Sequence, residues 1–133
     1  MDARYRKLGG VYEASVVPSV VIAVTRSWGT QNEKALVGFL RAMYRAQDWL
    51  NNTRNKKPAV DLMVELSKAK QTSVERSYDK FVTELKVYNR GDISTDVIRT
   101  TLEDMAEINV ISKPIPDPNK FLDLSYRQKA LAR

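Results

Sequence analysis

The sequence contains no cysteine and no histidine. Without cysteine there is no disulfide, no thiolate nucleophile and no thiolate metal site. Without histidine the chain lacks the commonest general base and transition-metal ligand, and every Ser-His or Cys-His arrangement is excluded. Glycine and proline are sparse, with five of each in 133 residues. Gly9-Gly10 matches neither of the glycine patterns that cradle phosphates. The longest apolar run, residues 16–24, is interrupted by Pro18 and Ser19 and is too short to cross a bilayer as a helix. Met1-Asp2-Ala3-Arg4 leads straight into polar sequence rather than an export signal. The chain is therefore expected either to stay in the cytoplasm or to be an internal piece of a longer protein.

What is present describes a globular chain. Hydrophobic residues make up 43% of the sequence, enough for one modest core and too little chain for a second full domain. Lysine and arginine number 22 against 16 acidic residues, giving a net charge of +6. The basic residues are interleaved with acidic ones, as in Glu65, Lys68 and Lys70 or Arg76, Asp79 and Lys80. This pattern points to a solvated surface rather than one polyanion-binding face.

Along the chain, Ser19-Val20-Val21-Ile22-Ala23-Val24-Thr25 is β-branched and apolar on both faces, which predicts a strand buried inside a sheet. Residues 7–12 offer at most one further short strand. Beyond Thr30 the chain reads as helix or loop. Thr30-Gln31-Asn32-Glu33 has the form of a capping box and predicts a helix with Leu36, Phe39, Leu40, Met43, Ala46 and Leu50 on its apolar stripe. Asn55 and Pro58 mark a second helix carrying Val60, Leu62, Met63, Leu66 and Ala69. Thr72-Ser73-Val74-Glu75 repeats the capping box and opens a third, which Gly91 follows. Ser94 caps a fourth, carrying Val97, Ile98, Leu102, Met105 and Ile108. Pro114, Pro116 and Pro118 hold residues 113–119 extended as a surface connector, and a closing helix spans residues 125–131.

With histidine and cysteine absent, carboxylates are the candidate acid or base groups. Glu103 and Glu107 share a helix face beside Asp104, a spacing that could hold a metal or form an acid/base pair, although such faces are ordinarily solvated. Asp117 and Asp123 are better placed to order the proline-rich turn and cap the last helix. Trp28, Trp49, Tyr44, Tyr78 and Tyr88 could stack on bases beside Arg41, Arg45 and Arg54, but their positions on or beside helical stripes favour packing. The sequence is read as non-enzymatic, with no cofactor and no metal.

Val20-Val21-Ile22-Ala23-Val24-Thr25-Arg26-Ser27-Trp28, Ala35-Leu36-Val37-Gly38-Phe39-Leu40-Arg41-Ala42 and Ala46-Gln47-Asp48-Trp49-Leu50 together resemble the substrate-binding proteins of nitrate, sulfonate, taurine and thiamine-precursor type ABC importers. The ending Pro114-Ile115-Pro116-Asp117-Pro118-Asn119-Lys120-Phe121-Leu122-Asp123-Leu124-Ser125-Tyr126 is similar to that family's closing tail. The resemblance implies the C-terminal portion of a two-lobed α/β periplasmic-binding-protein fold. On that plan the chain is mainly α, with four to five helices and one or two short N-terminal strands. It forms a single partial domain of crossover strand (1–29), helical region (30–112) and connector with closing helix (113–133). The resemblance further implies a periplasmic parent, a small-molecule solute, an ABC transporter permease as partner, and no nucleic acid. Only the approach to the crossover could face the ligand cleft, where Glu13, Ser15 and Ser19 offer polar atoms. A bare strand edge and bare helix faces would favour self-association. A stand-alone basic helical module, binding a protein partner or a nucleic acid, is the competing reading.

Overall fold

The expected strand over residues 19–25 is not formed. A computed structural model describes residues 20–132, and among them there is no strand of any kind. Ser19 and the expected segment at residues 7–12 lie outside the described residues. Val20, Val21, Ile22 and Val24 follow an irregular path with their side chains 89%, 57%, 48% and 44% exposed. β-Propensity stabilises a strand only when a neighbour takes up its backbone groups and its faces are covered, and no described residue supplies such a neighbour. A fragment of an α/β fold with N-terminal strands is thereby overturned in favour of an array of helices.

The run ends in a helix start that the sequence reading did not place. Thr25 is extended at ψ 149°, and its hydroxyl accepts from the Trp28 amide at 3.3 Å, capping α1, Arg26–Gln31. Gly29 is the one buried residue of α1, and a Cβ there would stand 3.0 Å from the Tyr126 hydroxyl. Glycine is thus what allows the two to approach. The expected capping box at Thr30 does not exist, because the Thr30 hydroxyl donates to the Arg26 carbonyl inside α1 at 3.0 Å. Asn32 closes α1 instead, its backbone and side-chain amides both donating to the Trp28 carbonyl.

Five further helices follow: α2, Glu33–Asn51; α3, Lys56–Ser67; α4, Gln71–Tyr78; α5, Thr95–Glu107; and α6, Ser125–Leu131. Single 3-10 turns lie at Thr53–Asn55 and Pro118–Phe121, and α4 runs on into a wider π-helical turn, Asp79–Glu84. The Thr72 capping box also fails. Helix α4 starts two residues earlier than that box would place it, with Lys70 at the N-cap, and the Gln71 side-chain amide donates to the Glu75 carboxylate at 2.9 Å. Lys68 ends α3 in the left-handed region at φ 55°.

The described residues fall into two compact units. One comprises Val24–Asp92 with residues 125–132, so α6 returns to the unit that the chain leaves at Asp92. It has two cores. Leu36, Val37, Leu40 and Tyr44 of α2 close on Ala130 of α6, with Met43 and Tyr126 packed alongside. Ala59 and Val60 of α3 close on Val74 and Tyr78 of α4 and on Val82 of the π turn. The stripe read from the sequence was rotated: Val37 and Tyr44 are buried, whereas Phe39 is 52% exposed. A helix apolar on more than one side leaves its partners to choose the face.

The other unit holds residues 20–23 and Ile93–Leu124. Here α5 buries Leu102 and Ala106 and packs beside the 3-10 turn, whose Pro118 is itself buried. The connector is therefore partly core rather than wholly surface. Ser94 caps α5 as expected, its hydroxyl accepting from the Val97 amide at 3.3 Å. Ser94→Ala is expected to cost about 1 kcal/mol, which urea denaturation would detect; an unchanged midpoint would remove the cap's significance.

Candidate functional site

Glu13, Ser15 and Ser19, the residues expected to meet a ligand, lie outside the described residues. Glu103 and Glu107 are exposed one turn apart on α5, with Asp104 half-buried beside them. No group of three or more carboxylates among the described residues is arranged to hold a metal ion. The Asp117 carboxylate caps the 3-10 turn, accepting from the Asn119 backbone and side-chain amides at 3.0 Å each. Of the aromatics weighed for base stacking, Tyr44 and Tyr78 are core residues, while Trp28 and Trp49 are 44% and 42% exposed.

The densest polar arrangement was not foreseen. It pins the loop after the π turn onto α2. The Asn51 side-chain amide donates to the Tyr88 carbonyl at 2.7 Å, and the Arg90 backbone amide donates to the Gln47 side chain at 2.8 Å. The Arg90 guanidinium reaches Asp48 at 2.7 Å. From α6, Arg127 donates to the Arg90 carbonyl at 3.0 Å and pairs with Asp92 at 3.1 Å. Gly91 sits among these at φ 64°, and a Cβ there would meet the Tyr44 hydroxyl at 3.5 Å. Each charge in this cluster has a partner, and together these bonds position the loop against α2 and α6. The sequence signal that could have exposed it is the charge order Arg90-Gly91-Asp92 opposite Asp48 and Arg127, legible only once α2 and α6 are known to lie side by side.

Two shallow grooves open on this unit. The first, about 430 Å³, is lined by Glu33, Lys34, Val37, Gly38, Arg41 and Lys129, among others. Its polar groups are largely engaged: Lys129 pairs with Glu33 at 2.7 Å, and the Arg41 guanidinium donates to the carbonyls of Lys129, Ala130 and Ala132 at the end of α6. Arginine at those orphan carbonyls caps α6 and opposes the negative end of its dipole. The second groove, about 350 Å³, lies over the start of α3 beside Arg54, Lys56, Lys57, Asp61 and Glu75. Lys57 pairs with Asp61 at 2.6 Å and Lys56 with Asp79 at 2.5 Å.

Two protonation equilibria are displaced. Burial pushes the Tyr44 phenol above its ordinary 10.0, with the Arg127 charge pulling the other way. The hydrogen bond to Asp79 raises Lys56 above its ordinary 10.5, partial desolvation opposing it. Both groups hold their proton more tightly in the folded state. Their contributions to stability are therefore whole below those ordinary values and are lost as pH rises through the raised ones. Denaturant midpoints should fall as pH rises past the ordinary values of 10.0 and 10.5 and through the raised ones, and Tyr44→Phe or Asp79→Asn should each flatten part of that fall. A pH-independent midpoint would contradict the assignment. Neither shift brings a group toward neutral pH, where an acid or base catalyst would work.

Comparison with family models, with curated proteins and with solved structures finds no match to this chain.

Proposed function

We propose that this chain is a non-catalytic, solute-receptor part of an ABC import system, serving on the periplasmic side to pass a small organic or inorganic anion or related nutrient to a permease. The observation that supports this reading is where the resembling motifs go. Leu36, Val37 and Leu40 from the Ala35-to-Ala42 motif share one core with Tyr126, which ends the closing-tail motif. Two segments far apart in sequence, which the sequence reading likens to one family, thus contribute to a single core. The rival reading, a basic module that binds nucleic acid, has less support, because many cations are spent inside the chain: Lys56, Lys57, Lys80, Arg90, Arg127 and Lys129 all have carboxylate partners. On the receptor reading Glu13, Ser15 and Ser19 make the ligand contacts.

Thermal unfolding in the presence of nitrate, taurine, an alkylsulfonate and the pyrimidine precursor of thiamine is the direct test. One of these should raise the midpoint through mass action, and Glu13→Gln or Ser15→Ala should abolish the rise. If none does, while a labelled oligonucleotide binds with an affinity that falls steeply with salt, the receptor reading fails.

A further inference from the structure

Helix α2 carries a second apolar face besides the one in its core. Ala35, Phe39, Ala42, Ala46 and Trp49 are all exposed. Their spacing of four, three, four and three residues is a heptad seam, with Phe39 and Ala46 in one core register and Ala35, Ala42 and Trp49 in the other. The opposite face of the same helix, Leu36, Leu40 and Tyr44, is taken up by α6. A seam with a 3.5-residue period is the surface that another helix covers, since a strand or loop does not repeat its contacts at that interval.

The borders of the seam say what kind of helix. One border is basic, with Lys34, Arg41 and Arg45 lying along it. None of the three pairs with a carboxylate among the described residues, although Arg41 caps the carbonyls of α6. Asp48, further round on that side, is held by Arg90 at 2.7 Å. The other border is Met43 and Leu50, partly buried in the cores and uncharged. A second copy of the chain does not answer this pattern. Antiparallel pairing of two α2 helices about a dyad runs the two basic borders alongside each other, and parallel pairing sets each against the uncharged border of its mate. Neither offers an anion to the seam, and like charges flanking a helix pair select against it.

We propose that this face of α2 docks an amphipathic helix of a partner protein, one whose apolar stripe is edged with glutamate or aspartate. Phe39 and Trp49 supply the apolar anchors, and the small side chains of Ala35, Ala42 and Ala46 let the incoming helix approach closely. The basic border orients it and speeds encounter. This surface is independent of the solute reading.

The test uses the whole chain and labelled synthetic three-heptad helical peptides, with leucine at the core positions and either glutamate or lysine at the flanks. In fluorescence anisotropy titrations the glutamate peptide is expected to bind at least about tenfold more tightly than the lysine peptide, with affinity falling as salt rises. Ala42→Glu, at the centre of the seam, should abolish binding. The double variant Lys34→Glu/Arg45→Glu should reverse the preference. Circular dichroism of both variants matching the wild type confirms that only the surface was changed. Equal affinities for the two peptides, or binding untouched by Ala42→Glu, would overturn the proposal. So would tighter binding of a peptide of residues 2–19, or a dimer in light scattering that Ala42→Glu dissociates, since the seam would then belong to the chain's own segment or to a second copy.

Discussion

Replacing Tyr78 with alanine is expected to cost about 4 kcal/mol, the largest loss of any single truncation among the described residues. The ring is 2% exposed, the largest fully buried side chain among the described residues. It lies between Ala59 and Val60 on α3 and Val82 on the π turn, with Lys56 5.9 Å above its centroid. Its hydroxyl donates to the Leu50 carbonyl at 2.7 Å, tying α4 to the end of α2. Alanine removes the apolar contacts, leaves a cavity and strands that carbonyl. Tyr78→Phe keeps the ring and isolates the last effect, at about 1–2 kcal/mol. Urea denaturation followed by far-UV circular dichroism measures both, and a Tyr78→Ala loss below about 1 kcal/mol would mean that the α3–α4 core does not hold this unit together.

Leu40 and Phe39 are neighbours on α2 with opposite expected outcomes. Leu40 is 8% exposed in the core that α6 completes, and Leu40→Ala should cost about 3 kcal/mol. Phe39 is 52% exposed on the other seam, and Phe39→Ala should cost less than about 1 kcal/mol of stability. The same Phe39 variant should nonetheless weaken binding of the acidic helical peptide by about tenfold. Equal losses of stability from the two substitutions would show that α2 is rotated about its axis from the orientation described.

That contrast also marks how far the sequence could be read. Helix positions governed by local chemistry came through in part: Ser94 caps α5 and the closing helix spans Ser125–Leu131, while Asn55 precedes α3 but its side-chain amide donates to the Trp49 carbonyl rather than capping the helix. Features settled by tertiary contact did not. Two threonine capping boxes were pre-empted, one by Thr25 starting an earlier helix and one by Gln71 capturing Glu75. On α2, Leu36 and Leu40 were expected in the core and are there, but Val37 and Tyr44 displaced Phe39 and Ala46, because the alternation of apolar residues serves two faces equally. The β-branched run at residues 20–24 was the largest error, its composition describing a strand whose partner no described residue provides. The loop cluster of Arg90, Asp48 and Arg127 was invisible for a related reason, since its members are ordinary surface charges until the fold assembles them.

Because α6 completes the first core from 89 residues beyond Arg41, its docking is a polymer-looping event rather than local zipping. Such closure carries an entropy that grows only logarithmically with the length of the intervening chain, about 0.6 kcal/mol per doubling. Lengthening the excursion between Asp92 and Ser125 should therefore be cheap at equilibrium, whereas assembly of this core waits on a diffusive search that the α3–α4 hairpin does not need.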